Sequence, residues 1–335
     1  MNILNFGSLN IDYTYQVDHF VRAGETSSSK SLSVFSGGKG LNQSIALSRA
    51  GANVWHAGAV GKEDGAFLIE ELSEAGVHTE FISRTEGKTG HAIIQKDPSG
   101  QNCILLYGGA NQEIGKEFVD RVMERFEEGD FLILQNEISE IAYIMEKARQ
   151  KGMRIVLNPS PMDEKIASYP LSYVDYFLLN EIEALDLCGD RAGENGTAGE
   201  QGAGGNEAFG EEGGAAATAA GDGGVDAERL MERLMERLTE RFPNAKIVLT
   251  LGSGGSVYRD ADGMIRQGIY KVPVVDTTAA GDTFTGYFIG GLQRGETPRK
   301  ALEHAAKAAA IAVSRAGAAP SVPTREEVEA FAGEK

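Results

Sequence analysis

Short apolar runs alternate with amphipathic segments along most of the chain. The runs at 3–6, 131–134, 154–157 and 246–251 have the length and composition of buried strands. Residues 138–151 between two of them repeat their apolar positions with the period of a helix. This alternation predicts an α/β fold, with a doubly wound, mainly parallel sheet flanked by helices.

A second set of strand patterns lies outside this alternation. Residues 13–17 and 31–35 alternate with the period of a strand, and 90–95 and 102–107 flank the turn Asp97-Pro98-Ser99-Gly100. We expect these segments, within about 11–36 and 88–108, to form a small four-stranded lid. The open edges of such a sheet favour pairing with a second copy, so we expect a homodimer through the lid.

The composition changes abruptly between residues 190 and 226. Gly, Ala, Glu, Asp and Thr dominate there, and the large apolar side chains are Phe209 and Val225. Such a segment buries too little apolar surface to fold, so we predict a disordered insertion. The rest of residues 1–335 is predicted to be a single domain.

Charge and composition limit the classes of function. A net charge of -17 argues against a nucleic-acid or anionic-membrane partner, because no extended basic surface is available. No run of 18 apolar residues occurs, and the first residues lack a basic, signal-like segment. Cys103 and Cys188 lie far apart without metal-ligand spacing. We expect a soluble, cytoplasmic protein.

The segment from Val275 to Phe284 predicts a strand end, a tight turn and a helix that begins at Asp282. Tyr270 to Val275 is the predicted strand. Three small residues form the turn: Ala279, Ala280 and Gly281. Their amides and the positive helix end make an anion site. Asp282 beside it is either a base for a hydroxyl that meets a phosphoryl group, or an acid that complements the helix dipole, and spacing alone favours neither.

Other polar and glycine-rich segments follow predicted strand ends, where open α/β sheets place their ligands. The stretch 37–43, Gly-Gly-Lys-Gly-Leu-Asn-Gln, opens a helix but lacks the spacing of a Walker A loop, and helix packing explains its glycines equally well. Carboxylates, amides and a lysine suit a polyhydroxyl ligand. The candidates of this kind are Asn10, Asp12, Gly38, Lys39, Asn42 and Glu137. Asn180, Glu183 and the loop 252–255 suit a nucleoside triphosphate with magnesium held through water.

Taken together, these motifs resemble those of the PfkB carbohydrate kinase family, in particular its ribokinase group. The matching motifs are Gly7-Ser8-Leu9-Asn10-Ile11-Asp12, the stretch 37–43, Asn180-x-x-Glu183 and the segment 276–284. They occur in the family's order, and the similarity runs from residue 2 to about 332 apart from the acidic insertion. The resemblance implies a ribokinase-like fold and transfer of a phosphoryl group from ATP to the primary 5-hydroxyl of D-ribose, which gives ribose 5-phosphate.

The resemblance also implies roles for single residues. Asp282 would be the general base, the amides of 279–281 the anion hole, and the six candidates named above the sugar contacts. The nucleotide and Mg²⁺ would be held by Asn180, Glu183, Thr250, Gly252, Ser253 and Gly255. A K⁺ activator would be held by Asp276, Thr278, Ala312, Arg315, Gly317 and Ser321, of which Ala312, Arg315 and Gly317 would act through their carbonyls. Near Ala306 the family often has a polar residue beside adenine, and this chain departs from that pattern.

Two alternatives remain open from the sequence. A kinase of the same family could act on deoxyribose, a hexose or a nucleoside. A catalytically silent sugar-binding regulator is the second alternative, although it would have no need for Asp282 and its complete turn.

Overall fold

Two β-sheets organise the chain in a computed structural model, which describes residues 1–189 and 223–334. The strands of these residues are β1 (Ile3–Phe6), β2 (Asn10–Gln16), β3 (Ser31–Gly37), β4 (Val54–Gly61), β5 (His78–Thr85), β6 (Gly90–Lys96), β7 (Asn102–Tyr107), β8 (Phe131–Gln135), β9 (Arg154–Asn158), β10 (Tyr176–Asn180), β11 (Lys246–Thr250), β12 (Ser256–Asp260) and β13 (Gly263–Gln267). The main sheet has the order β13-β12-β11-β10-β9-β8-β1-β4-β5. Its strands run parallel from β11 to β5, and β12 and β13 add an antiparallel edge.

Helices cover both faces of the main sheet. They are α1 (Lys39–Arg49), α2 (Ala66–Glu74), α3 (Lys116–Met123), α4 (Ile141–Gln150), α5 (Glu181–Cys188), α6 (Gly223–Arg241), α7 (Ala280–Gln293), α8 (Pro298–Val313) and α9 (Arg325–Ala330). In β8, Leu132 and Leu134 belong to one hydrophobic core, and Phe131 and Ile133 belong to the other. Both faces are buried, so the strands are apolar runs rather than alternating patterns. The predicted doubly wound, mainly parallel fold is confirmed.

The second sheet consists of β3, β2, β6 and β7 in that order. β2 and β6 pair in parallel, and the outer strands pair antiparallel to them. Large apolar side chains on its strands remain exposed, among them Leu32, Val34, Phe35, Leu105 and Leu106. The predicted four-stranded sheet is confirmed.

One predicted strand and one predicted helix start were wrong. Tyr270 to Val275 is not a strand, since Pro273 lacks an N–H and the side chains of Val274 and Val275 are 67% and 61% exposed, with no core to bury them. Instead, the amide of Val275 donates to the carbonyl of Val313 at 2.7 Å. The helix that follows begins at Ala280, two residues before the predicted start.

The predicted disordered insertion at 190–226 falls mainly outside the described residues, which exclude 190–222. The structure begins α6 at Gly223, within the stretch that the sequence assigned to this insertion. Extending an existing helix adds a backbone hydrogen bond for each residue fixed, which lets even glycines join its first turn. None of the helices within 1–189 and 223–334 is long and apolar enough to span a membrane.

Candidate active site

Side chains from distant parts of the sequence meet at the carboxyl edge of the main sheet. Glu137 follows β8, Asn158 ends β9, Asn180 ends β10 and Thr250 ends β11. These neighbouring strands are parallel, so their carboxyl ends lie along one edge. The N-terminal ends of α1 and α7 reach the same edge, since the backbone amide of Lys39 donates to Glu137 and Asn42 on α1 donates to Asp282 on α7.

Asp282 lies in the first turn of α7 and is only 8% exposed. Its Oδ2 accepts a hydrogen bond from Asn42 Nδ2 at 3.0 Å, and its Oδ1 accepts one from Gln43 Nε2 at 2.9 Å. Burial raises the pKa of Asp282 above its ordinary value, although the charge of Lys39 and the two amide donors act in the opposite direction. The structure therefore places a carboxylate with an increased proton affinity at a helix N-terminus.

The three small-residue amides of the turn before α7 differ in their surroundings. The amide of Ala280 donates to the carbonyl of Thr277 at 3.1 Å. In the described part of the chain, no group accepts from the amides of Ala279 or Gly281. The Gly281 N–H is on an exposed residue and is open to an anion, whereas Ala279 is only 2% exposed and the Ala280 N–H is used within the turn.

Glu137 is held by the glycine-rich start of α1. Its Oε2 accepts hydrogen bonds from Ser8 Oγ and, at 3.0 Å, from the amide of Lys39. Ser8 Oγ in turn accepts from the amide of Gly40 at 3.2 Å. Burial raises the pKa of Glu137, the Lys39 charge and the Ser8 hydrogen bond lower it, and Asp282 raises it further. Glu137, Lys39 and Asp282 therefore share one electrostatic environment.

The second sheet contributes Asn10 and Asp12. Burial, followed by the charge of Glu137, raises the pKa of Asp12 to about 6. The carboxyl group packs on Gly37, where an added Cβ would lie 2.2 Å from Oδ2. Asn111 fixes Asn10, because its Nδ2 donates to Asn10 Oδ1 at 2.8 Å. Asp12 on the second sheet and Glu137 after β8 are thus close enough to interact electrostatically.

Gly38 lies beside Ser8 and Asn10, directly before the start of α1. It caps the N-terminus of α1 with a φ of 93°, and a Cβ there would lie 3.0 Å from Ser8 Oγ. A side chain is disfavoured at this position, because the positive φ favours glycine and the neighbouring atoms leave little room for a Cβ. The tight turn directs the chain so that Lys39 begins α1, where its charge lowers the pKa of Glu137, Glu183 and Asp282.

The nucleotide candidates are less clearly assembled. Asn180 and Glu183 form a capping box at the start of α5: Asn180 Oδ1 accepts from the Glu183 amide at 2.8 Å, and Glu183 Oε2 accepts from the Asn180 amide at 3.0 Å. Glu183 Oε1 accepts from Asn180 Nδ2 at 3.0 Å. The hydroxyl of Thr250 donates to the carbonyl of Leu179 at 3.2 Å. Gly252 and Ser253 are exposed in the short 3₁₀ turn after β11, and Gly255 follows it.

Only part of the predicted cation set converges. Asp276 accepts from the Thr278 amide at 3.0 Å and from the Gly317 amide at 3.2 Å. Burial raises the pKa of Asp276, but these hydrogen bonds and that of the Thr278 hydroxyl hold it below its ordinary value. The Ala312 carbonyl accepts from the Arg315 amide at 3.0 Å. Ser321 donates to Ala318 within its own loop at 2.8 Å.

The chain matches known proteins over almost its whole length. Residues 2–325 match the pfkB family of carbohydrate kinases. The ribokinase of Haemophilus influenzae is 30% identical over 330 residues, covering 97% of this chain and 96% of that protein. The chain belongs to the pfkB carbohydrate kinase family.

Solved structures agree with this membership. The ribokinase of Thermotoga maritima superposes with a TM-score of 0.77 at 32% identity, covering 99% of each chain. The Arabidopsis thaliana ribokinase complexed with ribose and ATP has a TM-score of 0.77 at 26% identity, covering 98% of this chain and 97% of that one. The protein is thus an enzyme of the ribokinase type and a sugar kinase, with the ribokinase-like α/β fold.

Sequence reasoning missed several residues that contact the candidate site. Gln43 was noted within the glycine-rich motif but received no role, although it contacts Asp282. Asn111 and Ser8 received none either, although they hold Asn10 and Glu137. The available signal was the pair of adjacent amide side chains, Asn42 and Gln43, near a predicted helix start.

Proposed function

We propose that the protein transfers the γ-phosphoryl group of ATP to the primary 5-hydroxyl of D-ribose and releases ribose 5-phosphate and ADP. The observation that carries this proposal is the buried carboxylate of Asp282, which Asn42 and Gln43 hold at the open N-terminus of α7. Its position suits a base, and the neighbouring amides suit the phosphoryl group. The Arabidopsis relative, solved with ribose and ATP, supports this choice of substrates.

The sugar would lie between the second sheet and the start of α1. Carboxylates accept hydrogen bonds from adjacent hydroxyls, and amides and lysine donate them. Asp12 and Glu137 supply the acceptors in this proposal, and Lys39 supplies a cation between Glu137 and Asp282. The full set of sugar contacts is Asn10, Asp12, Gly38, Lys39, Asn42 and Glu137.

Asp282 takes the proton of the 5-hydroxyl as its oxygen bonds to the γ-phosphorus and the bond to ADP breaks. A carboxylate with a raised pKa is suited to accept that proton, because the driving force for the transfer increases. The amides of Ala279 and Gly281 and the dipole of α7 stabilise the negative charge that develops on the phosphoryl oxygens. Phosphoryl transfer requires little else from a protein than positioning and charge stabilisation.

The nucleotide would lie along the ends of β10 and β11, near Asn180, Thr250, Gly252, Ser253 and Gly255. Both oxygens of Glu183 accept hydrogen bonds from Asn180, so this carboxylate fits Mg²⁺ through water rather than by direct ligation. Mg²⁺ bound with ATP would neutralise charge on its phosphates.

A K⁺ ion would lie beside the turn before α7. Asp276 accepts hydrogen bonds from the amides of Thr278 and Gly317, and the loop at Gly317 carries backbone carbonyls of the kind that a monovalent cation needs. Arg49 holds the same loop by donating to the carbonyls of Ala319 and Val322. The carbonyls of Ala312, Arg315 and Gly317 and the hydroxyl of Ser321 complete the proposed set.

The second sheet would act as the lid and as the contact between two copies. Closing it over the sugar excludes water, which otherwise competes as a phosphoryl acceptor. Its exposed apolar side chains and open strand edges favour a homodimer. Sedimentation velocity that shows a monomer at all concentrations would remove the dimer from this proposal.

The test measures ATP consumption with ribose, deoxyribose, fructose and a nucleoside, each with and without K⁺. We expect turnover that is fastest with ribose and increased by K⁺. Asp282→Asn keeps the side-chain shape but removes the base, so we expect about a thousandfold or greater loss of kcat with normal folding.

Asp120→Asn is the matched control, since Asp120 lies on α3 and pairs with Lys147 away from the site. It should keep wild-type turnover. Full activity of Asp282→Asn would refute the role of the base, and faster turnover with another acceptor would refute ribose as the substrate.

A further inference from the structure

A continuous chain of buried amides connects Asp282 to the interior of the main sheet. Gln43 Nε2 donates to Asp282, and Gln43 Oε1 accepts from Gln135 Nε2 at 2.7 Å. Gln135 Nε2 also donates to Asn5 Oδ1 at 3.0 Å. These side chains come from α1, β8 and β1, and Gln43, Gln135 and Asn5 are each at most 1% exposed.

Two backbone carbonyls fix the direction of this chain. Asn5 Nδ2 donates to the Gly40 carbonyl at 2.8 Å, and a carbonyl can only accept. Asn5 therefore turns its oxygen toward Gln135, so Gln135 must donate. Gln43 must then turn its oxygen toward Gln135 and its nitrogen toward Asp282. On the other side, Asn158 Nδ2 donates to the Leu178 carbonyl at 3.0 Å, which leaves Asn158 Oδ1 to accept from Gln43 Nε2 at 3.2 Å.

The far end of the chain carries no charge. Ser44 Oγ accepts from Asn5 Nδ2 at 2.8 Å, so its hydrogen is free to bond His56 Nδ1, also at 2.8 Å. Burial lowers the pKa of His56 to about 4, so its ring is neutral near pH 7. Asp282 is therefore the acidic end of an otherwise neutral network, and Gln43 is the member of this network that points its donor toward the carboxylate.

We propose that Gln43 is a positioning residue for Asp282, and that Gln135 holds the Gln43 amide in its donating orientation. The inference rests on the proposed role of Asp282 as the base. An amide that is free to rotate would present its oxygen to the carboxylate for part of the time. The fixed amide instead keeps Asp282 charged and aimed before the sugar binds.

Other charged groups also act on Asp282 and must be separated from this effect. Lys39 on α1 favours the charged form of Asp282, and Asn42 donates to its second oxygen. Glu137 after β8 and Glu183 on α5 are coupled to Asp282 by like charge. None of these four groups is altered by a substitution at Gln43 or Gln135, so a shift caused by those substitutions reports the amide chain.

The test is the titration of the Asp282 carboxyl carbon by ¹³C NMR in the free enzyme with labelled aspartate, with the signal assigned by its loss in Asp282→Asn. Gln43→Met keeps the length of the side chain and removes the donor. We expect its Asp282 pKa to be higher by about one pH unit, because one hydrogen bond to the charged form is lost. Gln135→Met should shift it in the same direction by a smaller amount.

The acid limb of the plot of kcat/KM against pH should shift to higher pH by the same amount as the Asp282 pKa, since activity requires the charged base. Tyr287→Phe is the structural control. Tyr287 lies on the same helix as Asp282, and its hydroxyl donates a buried hydrogen bond to the Pro323 carbonyl, which this substitution removes. Tyr287→Phe should lower the melting temperature without shifting the acid limb of the pH profile.

The outcomes separate this inference from the proposed function. An unchanged Asp282 titration in Gln43→Met overturns the inference, even if Asp282→Asn is inactive. If Gln43→Met does not fold, the titration of Gln135→Met decides in the same way. Full activity of Asp282→Asn refutes the proposed base, whereas the NMR shift still shows whether the amide chain controls the carboxylate.

Discussion

Asp282 is a buried carboxylate and Asp12 a half-buried one, and the protein holds them in different ways. Asp282 belongs to the main body, where α1 and α7 pack together and two amide donors face its oxygens. Asp12 lies on the second sheet, whose outer strands expose large apolar side chains. The body fixes the group that would react, and the exposed sheet brings the group that would recognise the sugar.

The two regions also differ in how tightly their atoms are packed. Around α1 the backbone of one element touches that of another, so that a single added methyl group has nowhere to go. The hairpin of the second sheet ends in open solvent. Substitutions that test packing should therefore have unequal effects in the two regions.

The largest effect is expected from a methyl group at Gly40. A Cβ there would lie 2.4 Å from the Ser8 amide nitrogen and 2.5 Å from the Gly7 carbonyl carbon, both backbone atoms. Gly40→Ala must therefore displace α1 from the end of β1, which we expect to lower the free energy of unfolding by about 3 kcal/mol. Urea denaturation measures this loss.

Gly100→Ala is the matched change in the hairpin turn of the second sheet. No atom lies within 4 Å of its added Cβ, but its φ of 86° strains an alanine, so the expected loss is about 1 kcal/mol. Equal losses at the two glycines would mean that the body is no more tightly packed than the second sheet.

The next effect concerns the charge of Asp12. The fold raises the pKa of this group from 3.8 to about 6, so its charged form opposes folding above pH 6 and the opposition disappears below pH 4. Asp12→Asn should therefore raise the free energy of unfolding at pH 8 by up to roughly 3 kcal/mol and leave it unchanged at pH 4. The KM for ribose should rise about tenfold, because a charge-assisted hydrogen bond is lost.

Asp97 in the hairpin turn provides the opposite case. A hydrogen bond from Ser99 is the main reason that the pKa of Asp97 lies below its ordinary value. Asp97→Asn should therefore destabilise the fold near neutral pH and leave the KM for ribose unchanged. A stability gain for both substitutions would show that the effect at Asp12 is not caused by burial.

The smallest effect on folding is expected at Leu105, whose side chain is 67% exposed on β7. Leu105→Gln should change the free energy of unfolding by less than about 0.5 kcal/mol, as surface substitutions usually do. If the second sheet joins two copies, the same change should weaken their association in sedimentation equilibrium. If Leu105→Gln is monomeric and its free energy of unfolding is much lower than that of the wild type, Leu105 belongs to the core.

The sequence predicted the architecture well because its strongest signals are local. Apolar runs with helices between them indicated the parallel sheet, and the turn Asp97-Pro98-Ser99-Gly100 indicated the hairpin. Tyr270 to Val275 misled for the same reason, since a β-branched run resembles a strand even where no neighbouring strand or core receives it. Pro273 within that run was the signal against a strand.

The supporting residues of the site were not predictable in this way. Gln43 and Asp282 are 239 positions apart in the chain, and Gln135 lies 92 positions from Gln43. No local pattern shows which of several buried amides will face a given carboxylate. Asn180 shows the opposite difficulty, in which a local pattern is clear but its meaning is ambiguous. Its spacing to Glu183 fits a capping box as well as a ligand site.

The long separation between Asp282 and its amide donors also sets an order in time. A ribosome makes about 5 to 20 residues per second, so Asn42 and Gln43 precede Asp282 by roughly 10 to 50 s during synthesis. Throughout that interval, the amides at the start of α1 exist without the carboxylate that they face in the finished protein. With Asp282 as the proposed base, the nascent N-terminal half would be unable to carry out the reaction, and catalytic competence would arise only with the last sixth of the chain.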